Sequence, residues 1–145
     1  MSIDGVLAGH SRGNKLATTL DGIEHIVHRS HREATVTPLN EVVRVLQELL
    51  SRRLTAYIAG VADAKTVSRW AAGEVTDVRH YEMEQRLRTS YEIVQLLLSS
   101  EASSTVKAWF IGLNPQLDDV APAEAIREGR LRDALGAARA FLAGG

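Results

Sequence analysis

In residues 51–74, SRRLTAYIAGVADAKTVSRWAAGE, caps and stops write two short helices around one turn. Ser51 offers a hydroxyl cap to a helix from Arg52 to Ala59, and Gly60 ends it because the residue just past a helix end often needs positive φ. Asp63 caps the next segment, from Ala64 to Ala72, which stops at Gly73. Rotation by about 100° per residue divides this second helix sharply. Ala64, Val67, Trp70 and Ala71 fall on one side, and Lys65, Thr66, Ser68 and Arg69 on the other. The apolar side calls for a core. The polar side is short enough or charged enough to reach base edges or phosphates in a major groove, although the same wheel describes any amphipathic helix with a solvated face. Arg79 and His80 precede the next helix and suit contact with a nucleic-acid backbone, or equally an ordinary surface turn.

Upstream, Thr37-Pro38 reads as a cap followed by a proline at the one helical position where a missing N–H costs nothing. Leu39, Val42, Val43, Leu46, Leu49 and Leu50 then recur at helical spacing, which predicts a helix from Pro38 to about Leu50. The first 36 residues carry four of the five histidines and one short apolar stretch around Ile23, Ile26 and Val27, and they read as a loosely structured N-terminal arm. Downstream, Met83, Leu87, Tyr91, Val94 and Leu98 form a helical seam, with Glu82–Arg86 and Glu84–Arg88 as pairs four apart. The polar cluster at residues 99–103 breaks it. Val106, Trp109, Phe110 and Leu113 mark another helix, closed by Gly112 and Asn114-Pro115. A loop over residues 116–121, a short helix from Pro122 to Gly129 and a last helix bearing Leu131, Leu135, Ala138 and Leu142 complete the chain. No stretch reads as a strand, so the expected fold class is all-α.

The composition agrees. Across 145 residues, 45% are hydrophobic and 24% charged, enough to bury a core, while aromatics are only 5%. Net charge is −1, so contact with nucleic acid must come from a local patch. Residues 1–80 carry 10 positive and 9 negative charges and residues 81–145 carry 7 and 9, a small asymmetry toward a basic first half. With no cysteine there is no disulfide framework, zinc ribbon or thiol nucleophile. No apolar run is long enough for a membrane span and the N-terminus lacks a secretory layout, so a cytoplasmic protein without membrane association is expected.

The second informative stretch is residues 105–129, TVKAWFIGLNPQLDDVAPAEAIREG. Here an aromatic helix bearing Trp109 runs into Asn114-Pro115-Gln116-Leu117, and a helix opened by Pro122, carrying Ile126, ends at Gly129. Taken with Ala56 four residues before Gly60, the Gly60-Val61 turn and Trp70 before Gly73, this order of motifs resembles the Xre, MbcA and ParS antitoxins. These join an Xre-type helix-turn-helix to a C-terminal toxin-binding domain. The resemblance covers residues 51 to 145. Where family members often place glycine soon after the loop leucine, this chain has Asp118-Asp119, and the arm has no counterpart.

The chain is thus expected to divide into an arm over residues 1–36, read from composition alone, and, as the resemblance implies, a DNA-binding module over 37–80 and a helical toxin-binding and dimerisation module over 81–145. The resemblance implies an antitoxin that represses its own operon as a homodimer on operator DNA and neutralises a RES-domain toxin, an enzyme that degrades NAD. Lys65, Thr66, Ser68, Arg69, Arg79 and His80 would face DNA. Asn114, Pro115, Leu117, Arg127, Arg130, Phe141, Leu142, Gly144 and Gly145 would face the toxin, with residues 139–145 reaching toward its pocket to block NAD entry. The long helix near Glu82 to Leu98 and the aromatic helix after it are the expected dimer faces. Two other readings are a helix-turn-helix repressor without a toxin partner and an interaction module that does not bind DNA.

Other chemistries fit poorly. His25, His28 and His31 repeat every three residues, but the first and last lie about 240° apart on a helix and no carboxylate pair completes a metal shell. Residues 9–15, GHSRGNK, fail the spacing of a phosphate loop. No motif sets a base and an orienting acid beside a nucleophile, so neither catalytic residues nor a cofactor are expected.

Overall fold

The computed structural model describes residues 20–74 and 81–144, and these form eight α-helices with no strand. They are α1 (Leu20–Val36), α2 (Leu39–Leu50), α3 (Arg52–Ala59), α4 (Ala64–Ala71), α5 (Tyr81–Leu98), α6 (Ser103–Ile111), α7 (Pro122–Arg127) and α8 (Leu131–Leu142). A single 3₁₀ turn, Pro115–Leu117, lies between α6 and α7. The fold is all-α, as the periodicity required.

Helix α5 is the axis of the molecule. From Leu87 to Leu97 it is buried nearly all round, including Leu87, Ile93, Val94, Leu96 and Leu97, because α1, α2, α3, α6, α7 and α8 all pack on it. Both halves of the chain therefore share one continuous core, which runs from Ala34 to Leu142. From Leu87 to Leu97 the apolar surface of α5, one of the expected dimer faces, is already covered within one chain, and its exposed residues lie in the first turn, where Tyr81 is 66% exposed. Helix α6, the other expected dimer face, keeps an open side at Lys107, Ala108 and Ile111.

Residues 20–36 depart from the expected loose arm. They form the seventeen-residue helix α1, whose inner stripe of Ile23, Ile26, Val27, Ser30 and Ala34 lies against α5. Ser30 and Ala34 are small, so the stripe is weakly hydrophobic in sequence yet allows close approach, and both are buried. His25, His28 and His31 face outward. The end of α1 is held from a distance: Arg88 Nη1 donates to the carbonyls of Ala34 (2.8 Å) and Thr37 (2.7 Å), while its Nε donates to Glu84 (2.8 Å). A cation here satisfies carbonyls that a helix terminus leaves without partners and complements the negative end of its dipole. Thr37 is not a cap for α2, because its hydroxyl donates back to Glu33 O.

The caps around α3 and α4 follow the sequence. Ser51 Oγ accepts from Leu54 N (3.1 Å), and Asp63 Oδ1 accepts from Lys65 N (2.9 Å). Gly60 takes φ +88°, which lets Val61 N–H return to Ala56 O in a Schellman closure. Leu113 departs from expectation: α6 ends at Ile111, and Leu113 is left 76% exposed.

Two glycine substitutions separate backbone strain from crowding. A Cβ at Gly60 would lie 3.2 Å from Arg86 Nη1, whereas one at Gly129, also at positive φ (+86°), would meet nothing within 4 Å. Each residue forced into the left-handed region costs about 1–2 kcal/mol. Gly129→Ala is expected to lose about that amount in urea unfolding and Gly60→Ala measurably more; equal losses would show that Arg86 yields freely.

Candidate functional site

Helix α4 stands on the core through Val67, which is fully buried, and Trp70, which is 6% exposed. That burial fixes its rotation, so Lys65 and Arg69 project outward while Thr66 and Ser68 are half-buried at the edges of the exposed face. Beside it, Arg52 at the start of α3 faces the same groove, lined by Arg52, Lys65, Ser68, Arg69 and Glu74. The arrangement places three cations along one open groove. Among the described residues, neither Arg52 nor Lys65 has an ion-pair partner, while Arg69 Nε donates to Glu74 (3.1 Å). That pair is exposed and worth little, so Arg69 can exchange Glu74 for a phosphate at small cost.

Ser68, expected to face DNA, also lines this groove and has a structural contact. Its Oγ accepts from Gln47 Nε2 of α2 (3.1 Å), tying α4 to the helix beneath it. The side chain is thus a fastener in the free protein. Arg79, His80 and Gly145 lie outside the described residues.

The connection into Arg52 carries unusual backbone. Ser51 has φ 105° and ψ 160°, a region populated almost only by glycine and costing about 1–3 kcal/mol for other residues. The conformation turns the chain from α2 into α3 within one residue and sets Arg52 and Arg53 at the head of α3.

The residues expected to face a protein partner divide into two groups. Leu117 is fully buried and Leu142 is 5% exposed, so both are core and neither is available to a partner. Phe141 is half-buried against the same core. Asn114 is structural: Oδ1 caps the 3₁₀ turn through Gln116 N (2.8 Å), and its backbone N–H bonds to Val120 O (3.2 Å), closing the loop. Asp118 and Asp119 take φ 59° and 65°, the left-handed conformation in which glycine is favoured and aspartate tolerated. Two successive aspartates thus make the turn. Arg130 is held by Asp133 (3.1 Å) and Asp118 (3.2 Å). The hydrogen bond with Asp133, opposed in part by burial and helped by the attraction of both carboxylates, raises its pKa above the ordinary arginine value. Arg127 Nη1 donates to Tyr57 O (2.6 Å), and its guanidinium lies 4.6 Å from the Tyr57 ring centroid, so it joins α7 to α3.

Beside the exposed polar residues Gln116, Asp118 and Asp119, an open apolar patch lies next to this loop, and its members Ile111 and Leu113 carry no sequence signal for exposure. Ile111 is 56% exposed, Leu113 76%, and Pro115 is also exposed. In sequence Leu113 continues the helical spacing of Val106 and Phe110; only the end of α6 at Gly112, which has extended backbone, turns it outward. Gly144, with φ +99°, is exposed just past α8. Trp109 is 9% exposed, stands edge-on to Phe110 at 5.3 Å, and its indole N–H has no hydrogen-bond partner.

Comparison with protein-family models, with curated proteins and with solved structures finds no match to this chain.

The junction can be tested at Ser51. Glycine there relieves the backbone at the loss of a modest hydroxyl cap, whereas alanine keeps the strain and loses the cap, worth about 0.5–2 kcal/mol. In thermal unfolding, Ser51→Gly is expected to match or exceed the wild type and Ser51→Ala to fall below it; the reverse order would mean the backbone is not strained.

Proposed function

We propose that this protein binds duplex DNA through the exposed face of α4 and the head of α3, represses its own operon as a homodimer, and is the antitoxin partner of a RES-type, NAD-degrading toxin. The observation that carries the DNA-binding half is the seating of α4: Val67 and Trp70 inside, Lys65 and Arg69 outside, with Arg52 beside them on one groove. A helix held this way presents cations to phosphates and Thr66 to base edges without rearranging the core. Two copies are needed because one such helix makes few phosphate contacts, and a symmetric pair brings two half-sites a helical turn apart, roughly 34 Å.

The antitoxin half rests on the motif order around residues 105–129. The exposed residues Ile111, Leu113 and Pro115, next to a loop braced by Asn114 and Leu117, make the partner-facing surface. Neutralisation is steric, with this surface seating the toxin and the residues after Leu142 entering the pocket where NAD would bind. Arg130 enters that surface only by exchanging Asp118 or Asp133 for an acidic group on the toxin.

The two halves separate experimentally. Lys65→Ala and Arg69→Ala are expected to weaken binding to the protein's own promoter, each lowering the slope of log K against log salt by about 0.9 while toxin neutralisation persists. Leu113→Asp is expected to abolish rescue of cells expressing the toxin and leave promoter binding intact. Removing Gly144-Gly145 is the cleaner test of the plug, since a cut at Phe141 would also remove the buried Leu142. Wild-type protein that shifts no promoter DNA at low salt would overturn the repressor role.

A further inference from the structure

A second groove lies on the other flank of the α3–α4 turn. It is lined by Arg53, Ala56, Tyr57, Val61, Ala62, Ala64 and Arg127. Ala64 also lines the groove holding Arg52, Lys65 and Arg69, so the two are contiguous around one small side chain. Together their walls carry five cations, Arg52, Arg53, Lys65, Arg69 and Arg127, against one carboxylate, Glu74. In a chain of net charge −1 this is a strong local departure.

Arg127 is set apart from the others by how it is held. Its guanidinium lies over the Tyr57 ring and gives one N–H to Tyr57 O, which fixes its plane but uses only part of a five-donor fork. A side chain already ordered in this way loses little further freedom on meeting an anion. Arg53, by contrast, is exposed and has no ion-pair partner among the described residues. One pre-ordered arginine and one free arginine across a shallow groove suit the spaced, repeated phosphates of a nucleic-acid strand.

We infer that Arg127 and Arg53 form a phosphate-binding extension of the DNA face, so that α7, in the second half of the chain, supplies a backbone contact to the nucleic acid bound by α4. The inference rests on the DNA-binding reading above. It moves Arg127 from the partner-facing surface to the nucleic-acid one. These contacts read no sequence; they add affinity and fix the orientation of α4 over the groove.

The test measures binding of a short mixed-sequence DNA duplex, and of the protein's own promoter, at salt between about 50 and 200 mM. Arg53→Gln and Arg127→Gln are each expected to lower the log–log salt slope by about 0.9 on both duplexes alike, with Arg127→Lys keeping the slope. Ala62→Glu places a carboxylate in the same groove at an exposed turn position and is expected to weaken both duplexes several-fold; it serves where Arg127→Gln proves unstable to melting. If Lys65→Ala lowers the slope but Arg127→Gln and Ala62→Glu change nothing, the DNA-binding reading stands and this extension is wrong. If the wild type binds neither duplex at low salt, both fall.

Discussion

The arrangement depends on the burial of α5. A helix covered along most of its length has little wet face for its polar groups, so most must find a protein partner or stay near an end. Here two arginines find the ends of other helices, although Arg86 Nε stays buried without a hydrogen-bond partner. Arg88 takes the carbonyls of Ala34 and Thr37 at the end of α1, and Arg86 Nη1 donates to Ala59 O (3.3 Å) at the end of α3. Glu92, 7% exposed, meets His31 of α1 at 3.4 Å, and Ser90 returns its hydroxyl to Arg86 O. The two arginines put positive charge where two helix dipoles are negative, so one buried helix orients two shorter ones. Helix α3 is thereby set against the core, and α4 follows through a turn of four residues.

This explains which features were legible in sequence. The starts and stops of α3, α4 and α7 are local matters of caps, glycines and prolines, and Ser51, Gly60, Asp63, Gly73, Pro122 and Gly129 announce them. The seating of α4 was equally legible, because Val67 and Trp70 sit three apart and leave Lys65 and Arg69 on the far side. Helix α1 was not, since its inner stripe passes through Ser30 and Ala34 and its terminal partner, Arg88, lies more than fifty residues away. Small residues are silent in a periodicity reading and decisive in close packing.

The site followed the same rule. Ser68 has the right position on a wheel for contact with DNA, but no wheel shows Gln47 reaching it from α2. Leu117 of the Asn-Pro-x-Leu loop and Leu142 of the last helix, both expected to face a partner, are core, so that loop pattern marks how the loop is built more than what it touches. Arg127 belongs by sequence to the second half and in space to Tyr57, seventy residues earlier. Because α7 packs on α3 while the 3₁₀ turn packs on α8, the surface assigned to the partner and the surface assigned to DNA share a scaffold of short, directly touching helices.

On the proposed function, nucleic acid sits on the face built by α3 and α4. Mapping backbone amide chemical shifts of the full chain during titration with its promoter duplex tests it most directly. Changes are expected to concentrate on Arg52, Arg53, Lys65, Thr66 and Arg69 and to reach Arg127, with the Ile111 to Pro115 stretch undisturbed. Shifts centred on that stretch or on the histidine side of α1, with α4 unchanged, would contradict it.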